Sequence, residues 1–144
     1  MGDLGYAKSF DDLAVYKKAR AVSASVFHLT RSFPRDEVRS LTDQIRRSSR
    51  SIGAQIAEAW GKRRYEKHFV SKLTDADAEQ YETKHWLGEA TNSGYITSEQ
   101  ADSIVKDLHA VSRMLNAMMI KAHLFCGSNA DRVREDLAEY MVDE

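Results

Sequence analysis

The chain has 144 residues, 42% hydrophobic and 30% charged, which suits one packed domain and excludes a chain unfolded throughout. One proline and seven glycines are too few for a many-stranded sandwich or barrel, and the single Cys126 excludes an internal disulfide framework or a cysteine-only zinc cluster. The formal net charge of −1 hides a split: residues 31–72 carry eleven Lys/Arg against five Asp/Glu, and residues 73–144 carry six against fourteen. The basic middle suits an anionic partner, or an acidic surface on another copy.

Four segments read as helices. The first spans about residues 10–30, with Ser9 and Asp12 as a cap and Leu13, Tyr16, Ala19, Ser23, Val26, Phe27 and Thr30 as its stripe. Ser32-Phe33-Pro34 ends it, because the residue before proline avoids the helical region. The second spans about 36–60. Asp36 and Glu37 suit its positive end, and Val38, Leu41, Ile45, Ser48, Ile52, Ile56 and Ala59 form its stripe. Small residues from Ser48 to Ala57 would let a partner helix come close, and Gly61 would cap the C-terminus.

The third helix spans about 65–91, with Phe69, Leu73, Ala76, Gln80, Thr83, Leu87 and Ala90 stepping by four and three. Gln80 and Thr83 in that stripe would fix helix register or face another subunit. Asn92-Ser93-Gly94 is a turn, and Thr97 with Gln100 is a capping box. The fourth helix carries Ala101, Ile104, Leu108, Val111, Leu115, Met118, Ala122 and Phe125, and Gly127-Ser128-Asn129 ends it. Four helices joined by short turns must lie antiparallel to bury their stripes. The fold expected is all-α: an antiparallel up-down-up-down four-helix bundle over 10–126, after an extension 1–9. An acidic tail, 127–144, has Val133, Leu137, Tyr140 and Met141 spaced for a short extra helix. No apolar run reaches the roughly 18 residues of a membrane span. The start, Met1-Gly2-Asp3-Leu4-Gly5, lacks a secretion-signal pattern, so the cytoplasm is the expected compartment.

On an ideal helix Arg35, Arg39, Arg46 and Arg50 share one sector opposite the apolar stripe, with Arg47 beside it. Lys62, Arg63, Arg64, Lys67 and His68 follow at the next turn. The arginine fork matches phosphate oxygens, and a row of forks can track a nucleic-acid backbone. The competing reading is a solvated face partly paired with Asp43 and Glu66. Glu82 and His85 have the spacing of half a di-metal site, but no second Glu-x-x-His completes it. Glu58, Glu79 and Glu82 supply carboxylates without an accompanying nucleophile or phosphate loop. Cys126 reads as a reactive thiol or an inert helix-end cysteine. Trp60, Tyr65, Trp86 and Tyr95 would stack on bases or pack against neighbours.

The run Phe10-Asp11-Asp12-Leu13, then Phe33-Pro34, then Leu41-Thr42-Asp43-Gln44-Ile45-Arg46-Arg47-Ser48, Ser51-Ile52 and Ile56-Ala57-Glu58-Ala59 resembles the four-helix-bundle family of the bacterial ribosomal RNA intervening-sequence proteins. Phe69, Leu73, Ala76, Glu82-Thr83, Trp86-Leu87, Ala90 and Gly94-Tyr95-Ile96 continue the likeness, which covers about residues 9–125. The chain departs where the family often has Asn-Ile-Ala-Glu-Gly, reading Gln55-Ile56-Ala57-Glu58-Ala59, and has Ala78-Glu79 for a common glycine–serine pair. The resemblance implies a homopentamer. A similar bundle, the accessory protein of diversity-generating retroelements, is a basic pentamer that binds nucleic acid and reverse transcriptase. By that likeness Arg46, Arg47 and Arg50 would contact nucleic acid. The expectation is a cytoplasmic, non-catalytic oligomer without metal or cofactor, whose partners are itself, RNA or DNA, and another protein, but no membrane. Nucleic acid would lie on Arg39, Arg46, Arg47, Arg50, Lys62, Arg63 and Arg64. The alternative is a structural or protein-interaction scaffold with no nucleic-acid binding, which the near-neutral overall charge favours.

Overall fold

The computed structural model describes residues 7–132, and it places four long helices in them: α1 (Ala14–Thr30), α2 (Asp43–Gly61), α3 (Glu66–Asn92) and α4 (Ser98–Ile120). Each packs on the next in chain order, and α4 closes back on α1, so the four lie antiparallel around one core. The described residues contain no strand, and none of their helices is long and apolar enough to cross a membrane.

The expected stripes of the third and fourth helices are buried residue for residue, and Leu73, Leu87, Leu108 and Leu115 are fully enclosed. On α1 the stripe is shifted. Val15, Ala19, Val22, Val26 and Thr30 point inward, whereas Tyr16 and Ser23 are half-buried and Phe27 is exposed. The Tyr16 ring rests on Gly53 of α2, where an added Cβ would sit 3.4 Å away, while the valines of α1 fill the core.

Helix ends also differ from the sequence expectation. Phe10–Asp12 forms a separate 3-10 turn, in which the Asp12 carboxylate accepts from the Lys8 and Ser9 N–H groups; α1 begins only after extended Leu13. The second helix opens as a 3-10 turn (Arg35–Glu37) and a π-helical turn (Val38–Thr42) before regular geometry starts at Asp43. Val38, expected in the stripe, is 45% exposed as a result. Gly61 is the last residue of α2 rather than its cap, and α4 stops at Ile120, followed by a 3-10 turn, Ala122–Leu124, that still delivers Ala122 and Phe125 to the core. The Thr97–Gln100 capping box forms in both directions, and Gly94 at φ +80° makes the preceding turn. A last 3-10 segment spans Gly127–Arg132. The expected helix through Val133, Leu137, Tyr140 and Met141 lies outside the described residues.

Polar residues in the core set register. Thr83 Oγ1 on α3 lies 2.9 Å from Ser48 Oγ on α2, joining the most extensively packed pair of helices. Gln80 is also fully enclosed, its Nε2 donating to Asp77 Oδ1 at 3.1 Å. Both residues therefore face the interior of this bundle and not its outer surface.

Candidate nucleic-acid interface

The arginines of α2 divide by the helix they approach. Arg46 leans across α1, its Nε donating to Thr30 Oγ1 at 2.7 Å and its guanidinium standing 4.8 Å from the centre of the Phe27 ring. Arg50, one turn further, reaches the same ring at 5.7 Å. An i, i+4 pair shares one helix face, so both forks meet the one aromatic that α1 leaves uncovered. Arg47 lies about 100° round the helix, on the α3 side, where its charge opposes the upward shift of the Glu79 carboxyl. That shift comes first from burial and then from neighbouring Glu82. Arg35 and Arg39 precede Asp43, and the wider π turn between breaks the 100° step that would align them with Arg46 and Arg50.

Among the described residues no carboxylate lies within ion-pair distance of Arg39, Arg46, Arg47 or Arg50. None of these four arginines pairs with Asp43 or Glu66. A shallow open groove of about 680 Å³ runs along α1 and meets α2 at Arg50; Arg20, Ser23, Ala24, Phe27 and His28 line it with Arg50, and no carboxylate stands in its wall. Arg20, Phe27 and His28 were missing from the sequence-based set. The signal was present: Val15, Ala19, Val22 and Val26 step by four, three and four, which leaves Phe27 one residue beyond the stripe.

Lys62, Arg63 and Arg64 sit at the far end of α2 and do not join this cluster. Arg63 has a packing role. Its Nε donates to the Trp60 carbonyl at 2.8 Å, its guanidinium lies 3.5 Å from the centre of the Trp60 ring, and it also donates to the Ala130 carbonyl. The Gly127 N–H in turn bonds the Arg63 carbonyl at 2.9 Å, so this residue ties the α2–α3 turn to the chain that follows α4. Lys62 and Arg64 are exposed, with Arg64 5.7 Å from the exposed Tyr65 ring. Trp86 donates to Glu82 Oε2 at 3.1 Å and Tyr95 to Glu37 Oε2 at 2.6 Å, so these aromatics and Trp60 are packing residues.

The other constellations are dispersed. Glu82 serves Trp86, and His85 Nε2 stands 4.0 Å from Glu89 Oε1 and not beside Glu82. Among the described residues no three His, Cys, Asp or Glu side chains are placed to hold a metal. Glu58 pairs with Lys72 at 3.7 Å, a lysine that also reaches Asp75 and Gln55. Cys126 is buried, and burial, with the Glu66 charge, pushes its thiol up to about 11, so it stays protonated and unreactive at neutral pH.

The sequence profile of 23S rRNA-intervening sequence proteins matches residues 11–117. The fold is similar to a crystal structure of a protein of unknown function from the S23 ribosomal protein family of Bacteroides thetaiotaomicron VPI-5482. The two are 30% identical with a TM-score of 0.66, over 74% of this chain and 98% of that one. Among curated proteins none matches the chain.

Proposed function

The chain belongs to the 23S rRNA-intervening sequence protein family, and we propose that it is a non-catalytic, self-associating bundle that binds RNA through the arginine face of α2. One observation carries this reading: Arg46 and Arg50 converge on Phe27 beside a groove with no carboxylate in its wall. An unneutralised pair of forks held in place by a ring is pre-set for phosphate oxygens, because the side chains have already lost much of their freedom. Arg20 extends the face on α1, and Arg39 and Arg47 flank it. Lys62 and Arg64 add charge at the end of α2. Each protomer offers few phosphate contacts, so affinity would depend on several copies acting together. Self-association rests on the resemblance to the intervening-sequence family, and Tyr81 and Ile120, 60% and 79% exposed on α3 and α4, are apolar side chains open to a second copy. Five copies is the number that the resemblance implies.

The test is fluorescence anisotropy of labelled RNA against the parent and a variant carrying Arg20→Glu and Arg50→Glu, two exposed positions whose change leaves the core untouched. Binding should fall for every RNA tried, with helicity unchanged. No binding by the parent at low salt, where phosphate contacts are strongest, would leave the scaffold reading instead.

A further inference from the structure

Phe27 is the one large apolar side chain that α1 leaves open to solvent, at 36% exposure, and its surroundings are not those of a stray surface residue. The Arg46 and Arg50 forks stand 4.8 and 5.7 Å from its centre, and the His28 ring meets it edge-on at 5.7 Å. The ring and the Arg50 fork thus line one open groove with Arg20, no carboxylate stands in its wall, and the Arg46 fork lies against the same ring. Flat π-faces are of no use to a duplex, whose bases already stack on each other and present only edges and phosphates. They are what an unpaired base requires, and single strands are held by aromatic and guanidinium planes alternating with backbone charge contacts.

Resting on the proposed RNA reading and narrowing it, we infer that the α1–α2 groove takes single-stranded RNA, with an unpaired base stacked on the Phe27–arginine cluster. Arg46 is anchored to Thr30 through its Nε and stands against the ring, which leaves its two terminal nitrogens for a phosphate. Arg50 and Arg20 face the groove and meet the phosphates on either side of the stacked base. Arg46 and Arg50 are one turn apart, about 6 Å along α2, so the contacts fall along the groove rather than at a single point. Selectivity among bases is low, because every base has a π-face.

The probes are a labelled twelve-nucleotide single strand and the same strand annealed to its complement. Phe27→Ala should weaken single-strand binding about tenfold, the effect of losing one base stack. The dependence on salt should be unchanged, since no charge is removed. Phe27→Leu, which keeps the apolar bulk against the arginines but has no π-face, should be as weak as the alanine variant. Phe27→Trp should bind as the parent does, and its fluorescence should be quenched by the single strand and not by the duplex. Equal affinity of parent and Phe27→Ala for the single strand would overturn the inference and leave the RNA reading intact, provided Arg20→Glu with Arg50→Glu still abolishes binding. Tighter binding of the duplex than of the single strand would also overturn it. A parent that binds neither probe at low salt overturns both.

Discussion

Tyr95 and Glu37, 58 residues apart in the chain, meet at 2.6 Å across the end of the bundle, the phenol donating to the carboxylate. Ser40 donates to the other oxygen of Glu37, also at 2.6 Å. The pair joins the turn after α3 to the start of the π segment, and so fixes where the regular part of α2 begins. The two hydrogen bonds, Ser40 first and Tyr95 second, hold the Glu37 carboxyl below its ordinary value, and Glu37 raises the Tyr95 phenol above its own.

The sign of the pH effect follows. A depressed carboxyl contributes stability that is complete above its unfolded value near 4.5 and is lost as pH falls through the lower folded value. A raised phenol contributes stability that is complete below 10.0 and is lost as pH rises through its folded value. Tyr95→Phe should lower the melting temperature at neutral pH and flatten the loss at both extremes. Amide exchange over residues 38–42 should quicken. An unchanged exchange pattern there would mean that the π turn holds without the contact.

Leu108→Ala tests the core. Leu108 is 0% exposed on α4, so truncation should cost about 2–5 kcal/mol in urea unfolding. Ile120→Ala, at a position 79% exposed on the same helix, should stay within about 0.5 kcal/mol in the isolated protomer. Similar costs at the two sites would show that the α4 stripe is assigned to the wrong face.

Cys126 should resist modification by thiol reagents. A thiol pushed up to about 11 has almost no thiolate at pH 8, so modification by a disulfide reagent should need unfolding. The rate in native buffer should be at least about a hundredfold below the rate in denaturant, and comparable rates would contradict the burial.

Sedimentation equilibrium tests self-association. The proposal expects a species several times the protomer mass of 16.3 kDa, with five copies as the family likeness suggests. A single species at the protomer mass, at micromolar concentration, would refute it.

Three of the four helical stripes were readable in the sequence because they repeat large aliphatic residues at steady spacing: Leu73 and Leu87, Leu108 and Leu115, Ile45 with Ile52 and Ile56. On α1 the aromatic residues Tyr16 and Phe27 draw the expected stripe off the true one, which runs through Val15, Ala19, Val22, Val26 and Thr30. The π turn was not legible. It is a local adjustment anchored by Glu37 to a tyrosine on a distant turn, which helical periodicity does not encode. At the site the arginines were legible as a row, but their meeting with Phe27 needs the angle at which α1 crosses α2. Arg63 is legible as one of a basic run, but its hydrogen bonds to the Trp60 and Ala130 carbonyls appear only once the chain has closed on itself.

The salt dependence of RNA affinity tests the central claim most directly. If Arg46 and Arg50 each neutralise a phosphate, the plot of log affinity against log salt should be shallower for Arg46→Gln with Arg50→Gln than for the parent. The slopes should differ by about 1.4 for each protomer engaged, as single strands lose about 0.7 per contact. Circular dichroism should show the same helicity for both proteins. Parallel lines for parent and variant would mean that the α2 arginines do not carry the contact.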